Sequence, residues 1–414
     1  VGINNGKQYP PADDRARGKN LLKASEARFF GKDLLDLKTN VPDQFQSILM
    51  KPYFAYLSLL LFSGLSACAG SKQSDTSTPA ETPPPEVSSA TTPQTINLWY
   101  GHQQRFGHIG QAQAWVNILG NIHEPEKIDR VSFQVNEDAE RLITLGSDRH
   151  RLAMPGDFNI ELAWEELPLD TNRVTVRAYP KSGAAMMDTV QVIVKREEVW
   201  PLPYSVNFSG IEFLQNVVQV VDGHWEPTAY GIRTVLPYYD RVLSLGDTSW
   251  TDYEATVQLT VHGFIPPQPG PPTYNVTHFG VALRWRGHHK DGKQPSRKWF
   301  PLGAQGEFLL KNELDSCQWR ILFDGNNETK PVKYAAGWNT LVPERKMTIK
   351  AQVQTMPDMR TRYRFKQWTN GKPEPGTWDV EGYETGDYPS GALCLVPHNS
   401  DVTIHSVQVD SLAH

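Results

Sequence analysis

The stretch Ser249–Gly263, SWTDYEATVQLTVHG, alternates apolar and polar residues from Tyr253 onward. Tyr253, Ala255, Val257, Leu259 and Val261 fall on one side of an extended chain, and Glu254, Thr256, Gln258, Thr260 and His262 on the other. That period of two belongs to a strand with one buried and one wet face. His278–Gly287, HFGVALRWRG, repeats it, with Phe279, Val281, Leu283 and Trp285 as the apolar set and His278, Gly280, Ala282, Arg284 and Arg286 opposite. Outward from these two stretches, no segment of helical period after Trp200 runs beyond about ten residues. The 31 Gly, 31 Pro, 12 Trp, 15 Tyr and 16 Phe of the 414-residue chain suit turn-rich β-structure. With 41 Lys+Arg against 46 Asp+Glu, the formal charge of −5 supplies no basic field for nucleic acid. A hydrophobic share of 39% excludes a chain disordered throughout and one that spans a membrane many times.

Residues 95–197 give short alternating runs, AWVNILGNI, VSFQVN, RLITLG, DFNIELAW, NRVTVRAY and DTVQVIVK, separated by Gly, Pro, Asp and Asn. About six or seven strands in about 100 residues predict a β-sandwich. The segment GDFNIELAWEELPLDTNRVTVRAYPKSG resembles bacterial immunoglobulin-like domains of surface proteins. Residues 200–412 form a second strand-rich region. Its segments VDGHW (Val221–Trp225), SWTDYEATVQLTVHG, HFGVALRWRG and GALCLVPHNSDVTIHSVQVDSL (Gly391–Leu412) resemble the concanavalin A-like lectin/glucanase jelly roll. The expected class is therefore all-β, an immunoglobulin-like sandwich followed by a concanavalin A-like one. The second resemblance implies a closing pattern of strand, short turn and final strand.

Ahead of both lies an address. From Met50 the chain reads MKPYFAYLSLLLFSGLSACAGSKQ, with one Lys, an apolar run and small residues before Cys68, the grammar of a secretory signal. Leu65, Ser66, Ala67 and Cys68 resemble the bacterial lipobox. That resemblance implies cleavage before Cys68, acylation of its thiol and new amino terminus, and, with Ala69 next, the outer membrane if the cell is Gram-negative. Three acyl chains anchor stably at about 0.8 kcal/mol per buried CH₂. The alternative is an uncleaved signal anchor. Residues 50–67 are then the signal peptide, and residues 1–49, with charges of both signs, a non-native upstream extension. Residues 68–94, rich in Ser, Thr and Pro, cannot offset their ordering entropy and form a tether. With Cys68 lipidated, Cys317 and Cys394 remain, either as a disulfide or as two buried free thiols.

Candidate binding groups come from the two best strands. If they pair in antiparallel fashion with His262 opposite His278, Thr256 lies by Arg284 and Glu254 by Arg286. Glu254, Gln258, Thr260, His262, His278, Arg284 and Arg286 would then share one face. Arg284 and Arg286 offer planar forks for a carboxylate or sulfate, and Gln258, Thr260 and His262 suit sugar hydroxyls. Tyr238 and Tyr239, after Pro237, are candidates for a stacking rim. The competing reading is a solvated sheet face held by cross-strand ion pairs.

For hydrolysis, WDVEGYETGD supplies Asp379, Glu381 and Glu384, but in the order Asp-x-Glu-x-x-Glu where glucanases of the resembled superfamily carry Glu-x-Asp-x-x-Glu. The segment reads as a solvated loop. His288 and His289 lie in a basic loop, GHHKDGKQPSRK, without a visible metal-ligand set. Calcium is common in the resembled jelly rolls, and Asp222, Asp247 or Asp410 could contribute to a structural calcium; no other cofactor is called for. The leading expectation is a lipid-anchored cell-envelope protein that binds a polysaccharide or other glycan without catalysis. The alternatives are a glycoside hydrolase or polysaccharide lyase on the same fold, with Glu254 and His262 as acid/base candidates, or a structural and adhesive envelope protein.

Overall fold

The computed structural model describes residues 95–148, 150–266, 276–299, 301–323, 332–386 and 388–412. The lipobox at Cys68, the signal, the tether and the upstream extension lie outside the described residues. Both strand-rich regions belong to one compact unit, Ser88–His414.

The first region is a sandwich of two sheets. In one, Ile96–Leu98, Trp115–Ile122 and Asp157–Ala163 run antiparallel in that order. The other follows the order Gln103–Phe106, Met186–Val194, Thr171–Pro180, Ile128–Val135 and Arg141–Leu142, with only the first pair parallel. Alternate residues point inward, so Val116, Ile118, Phe158 and Ile160 meet Phe133, Val174, Val176 and Val190 in one buried cluster.

The second region is a larger antiparallel sandwich. Its seven-stranded sheet runs Gln219–Asp222, Val242–Leu245, Ala392–His398, His278–Trp285, Ala304–Leu309, Gln318–Phe323 and Lys333–Tyr334. The eight-stranded sheet runs Trp225–Thr228, Gly231–Thr234, Ser400–Ser411, Tyr253–Phe264, Lys346–Thr355, Thr361–Thr369 and Val380–Glu384, with Tyr204–Asn207 also paired to Ser400–Ser411. The expected ending is present. Ala392–His398 lies in one sheet, Ser400–Ser411 in the other, and Asn399 alone turns the corner at φ 55°, a left-handed conformation that Asn tolerates better than most residues.

The inward sets are those the alternation predicts, with one exception. Tyr253, Ala255, Val257, Leu259 and Val261 pack with Phe279, Val281 and Leu283 in the inter-sheet core. Trp285 does not join them. A bulge between Ala282 and Trp285, with Arg284 at φ 55°, reverses the phase. Trp285 is buried instead on the outer face of the seven-stranded sheet, against Val242, Leu302 and Val396.

The two sandwiches meet through buried charge. Arg151 donates from Nε to Asp222 Oδ1 (2.7 Å) and from Nη1 to Glu161 Oε1 (2.6 Å) and Ser296 O (2.6 Å). Asn159 donates to Asp222 Oδ1 (2.9 Å), and Gln219 donates to Trp115 O (2.6 Å). Burial pushes Asp222 up to about 7, against the pull of Arg151.

Candidate functional site

The strands Tyr253–Phe264 and His278–Trp285 do not pair. The first lies between Ser400–Ser411 and Lys346–Thr355, the second between Ala392–His398 and Ala304–Leu309. Glu254 to His262 therefore face outward from one sheet and His278 from the other, across a core about 10 Å thick, while Arg284, on the bulge, reaches across to Thr355 and Thr361 of the eight-stranded sheet. The shared face expected for Glu254, Gln258, Thr260, His262, His278, Arg284 and Arg286 is not formed, because these two strands, consecutive in the chain, belong to opposite sheets.

On the eight-stranded side, Glu254 accepts from Gln352 (2.8 Å) and pairs with Lys350 (3.1 Å). Thr260 bonds His405 Nε2 (2.8 Å), while His262 bonds Glu344 (2.7 Å) and Thr403 (2.8 Å). Gln258 lies half-buried in the same row. This face is the cross-strand network of the competing reading. Of Asp379, Glu381 and Glu384, Glu381 lies on this face, where it accepts from Tyr383 Oη (2.8 Å), while Glu384 is in phase with inward-facing Val380 and buried. The segment is an edge strand, Val380–Glu384, rather than a loop, and Asp379 accepts from Gln367 N (3.0 Å).

Arg284 is 1% exposed and spends its guanidinium on the protein. Nη2 donates to Asp252 Oδ1 (2.8 Å) and Thr355 Oγ1 (2.8 Å), Nη1 to Thr361 Oγ1 (3.0 Å) and Tyr388 O (3.0 Å), and Nε to Thr251 O (3.1 Å). It is a structural staple, not a ligand fork. Cys317 and Cys394 are free and buried. Cys394 lies in Ala392–His398 and Cys317 just before Gln318–Phe323, with two strands of the seven-stranded sheet between, a span of at least about 14 Å at the usual strand spacing, far beyond disulfide reach. Burial raises both thiols. Of the calcium candidates, Asp222 is held by Arg151 and Asn159, and Asp247 accepts from the backbone N–H of Gln111, Trp200 and Ser249. Asp410 accepts from Gln408 (2.9 Å). None belongs to an oxygen cage among the described residues.

Arg286 is placed differently. Just past its strand, it lines a cleft of about 1080 Å³ between the two sandwiches. Trp115, Trp164 and Arg196 come from the first sandwich, and His289, Lys290 and Tyr388 from the second. The Arg286 guanidinium lies 5.6 Å from the Tyr388 ring centroid, and the Lys290 ammonium 5.3 Å from that of Trp115. Among the described residues neither cationic group has a hydrogen-bonding or acidic partner, and Glu165 is the single carboxylate in the lining. The loop approaches closely because residue 287 is glycine: at φ 106°, a Cβ would stand 3.0 Å from Trp115 Cδ1. The Trp115 indole N–H donates to His288 O (2.6 Å), pinning the loop. The doublet thus splits. His288 is buried beside Asp222 and Glu161, its pKa driven well down by burial and then by Arg151, while His289 faces the cleft. The basic loop was the available signal for this site; Trp115, Trp164 and Arg196 could not be found without knowing how the sandwiches dock.

His278 and Tyr239 come together elsewhere. Tyr239 packs edge-on to His398 at 4.5 Å, and His398 stacks on His278 at 4.8 Å. Tyr238 instead turns its ring toward Arg241, 5.4 Å away.

No protein-family model and no curated protein matches the chain. Among solved structures it is similar to the VIP36 exoplasmic/lumenal domain in its Ca2+/Man2-bound form, at 12% identity and a TM-score of 0.34, over 51% of this chain and 88% of that one. The Emp46p carbohydrate recognition domain, metal-free, gives 8% and 0.34 over 51% and 97%. A doubly substituted form of the alginate lyase Aly36B, in complex with alginate trisaccharide, gives 10% and 0.32 over 51% and 100%. Likeness of that depth carries no argument about activity; the strand order itself carries the all-β, two-sandwich fold.

Proposed function

We propose that this is a lipid-anchored envelope protein that binds an acidic glycan in the cleft between its two sandwiches. One observation carries the reading: Arg286 and Lys290, each resting on an aromatic ring, face a cleft of about 1080 Å³ in which neither is ion-paired among the described residues and Glu165 is the single carboxylate. An acidic saccharide answers both features, since a sugar ring stacks on aromatic faces and its carboxylate or sulfate takes charge-assisted hydrogen bonds. Hydrolysis of a glycosidic bond ordinarily needs two carboxylates, and the described lining supplies Glu165 alone. The anchor rests on the lipobox resemblance at Cys68 and would hold the binding domain at the envelope, outer-membrane if the cell is Gram-negative.

Titration calorimetry with polyuronate and sulfated oligosaccharides tests the reading, with neutral glucans as control. Losing one charged hydrogen bond costs about 1.5–3 kcal/mol, so Arg286→Ala should weaken acidic ligands roughly 10- to 100-fold. Equal affinity for neutral glycans, or unchanged affinity in Arg286→Ala/Lys290→Ala, would refute the site. For the anchor, mature protein should begin at Cys68, and Cys68→Ala should move it to the soluble fraction.

One observation favours a polysaccharide lyase as a second reading. His289 Nε2 donates to Pro301 O (2.8 Å), so its Nδ1 keeps a lone pair, and its ring stacks on Tyr388 at 6.4 Å beside Arg286. A base, a phenol and a cation to neutralise a carboxylate are the equipment for β-elimination from a uronate. Ultraviolet absorbance of an unsaturated product separates a lyase from a binder.

A further inference from the structure

We propose that His278 and His398, with Asp240, form a site for a divalent transition-metal ion on the outer face of the seven-stranded sheet. This site is distinct from the cleft. His278 opens the strand that Trp285 closes, about 23 Å away at the usual rise per residue.

The sheet register builds it. His278 and His398 are directly opposite in adjacent antiparallel strands, so both rings leave the same face and stack with an interplanar angle of 11°. Asp240, just before the strand Val242–Leu245, bonds His398 Nδ1 at 2.7 Å. One donor atom from each of the three residues lies within 4.8 Å of the other two.

The two imidazoles share an arrangement. Each has a carboxylate at one nitrogen and no hydrogen-bond partner at the other. For His398 the carboxylate is Asp240 at Nδ1, and for His278 it is Glu307, 3.5 Å from Nε2. An ionised carboxylate only accepts, so Nδ1 of His398 carries the proton and Nε2 keeps its lone pair. His398 Nε2 and His278 Nδ1 are both buried without a hydrogen-bond partner, and each residue is only 3% exposed. Residue 280 is glycine where a Cβ would stand 3.2 Å from His278 Nδ1, so that nitrogen is not crowded by a side chain beneath it. A carboxylate behind an imidazole whose other nitrogen is bare is the arrangement that orients a metal-ligating histidine. The charge balance agrees. Asp240 and Glu307 are offset by Arg320, whose Nε donates to Glu307, and by Arg241 beside Asp240, so the cluster is neutral when both imidazoles are neutral and holds no excess positive charge against a cation. The donors select the ion, since two imidazole nitrogens suit Zn²⁺, Co²⁺ or Ni²⁺, whereas Ca²⁺ takes oxygen. Because the rings stack, binding requires one to turn about its Cβ–Cγ bond so that both lone pairs reach one ion.

The test uses full-length protein stripped with a chelator and titrated with Zn²⁺ alone by calorimetry, then with Co²⁺ alone by visible absorption. Expected are one ion per chain and intense Co²⁺ bands of low coordination number. His278→Ala and His398→Ala should each weaken binding at least about 10-fold, and Asp240→Asn, which preserves shape, about 10- to 100-fold. His102→Ala, at an exposed His–Asp pair, should change nothing. If the histidine variants fail to fold, Asp240→Asn decides. The proposal is overturned if native protein takes up no stoichiometric ion, or if the folded variants bind as wild type does. Glycan affinity in metal-free protein is read separately through Arg286, so either proposal can fail alone.

Discussion

Replacing Arg284 by Ala should unfold the protein more readily and leave its ligand affinity intact. The Arg284–Asp252 pair is buried on both sides, with side-chain exposures of 1% and 2%. Removing one member of such a pair costs about 3–5 kcal/mol, because the other charge stays in a low-dielectric site. Asp252 would keep two donors, Thr355 N at 2.8 Å and Thr355 Oγ1 at 3.0 Å, so the lower end applies, about 3 kcal/mol. Alanine at φ 55° is no less strained than arginine, so the backbone adds nothing. For a domain of this size the loss corresponds to a fall in Tm of roughly 6 to 12 °C. Urea unfolding followed by tryptophan fluorescence measures it, in parallel with acidic-glycan titration. In Arg284→Met/Asp252→Asn no charge is left buried, so part of the stability should return. Unchanged stability together with lost glycan affinity would make Arg284 a ligand group after all and overturn the staple.

Three further outcomes are expected. Asp222, raised by burial to about 7 from an ordinary value near 3.8, is favoured by the fold in its protonated form. Its contribution is complete below about pH 4 and lost as pH rises through about 7, at most about 4 kcal/mol. Unfolding curves at pH 5 and 8 should therefore converge in Asp222→Asn; an equal pH slope in both proteins would remove the argument. Cys317 and Cys394 are buried with raised pKa values, so native protein should not react with a thiol reagent and reductant should not move Tm. A reductant-dependent Tm would indicate the disulfide. Gly287→Ala, at φ 106° with its Cβ 3.0 Å from Trp115, should displace the basic loop and weaken the glycan about as much as Arg286→Ala does; normal affinity would show that the loop does not shape the cleft.

What the sequence reveals and what it hides divide along one physical line. Side-chain alternation is a local property of an extended chain, so Tyr253 to Val261 announce their inward face and Glu254 to His262 their outward one. Sheet membership is not local. FIPPQPGPPTYNVT reads equally well as a hairpin connection or as a crossover, and only burial of both apolar faces against each other sends the flanking strands to opposite sheets. Arg284 hides for a related reason. A bulge with positive φ is announced by Gly or Asn, and here an arginine is held in that conformation by five guanidinium contacts that come from distant segments. The cleft is the least visible, because it exists only where two sandwiches dock. Nothing local in the sequence links Arg151, Glu161 and Asp222, yet paired across the junction they fix Trp115 against the loop after Trp285. That contact turns a basic loop, the least structured-looking text in the second region, into one wall of the cleft. The same logic explains why His278 stands out in the sequence and His398 does not. His278 sits in a conspicuous strand, whereas His398 acquires meaning only through a register that aligns residues 120 positions apart.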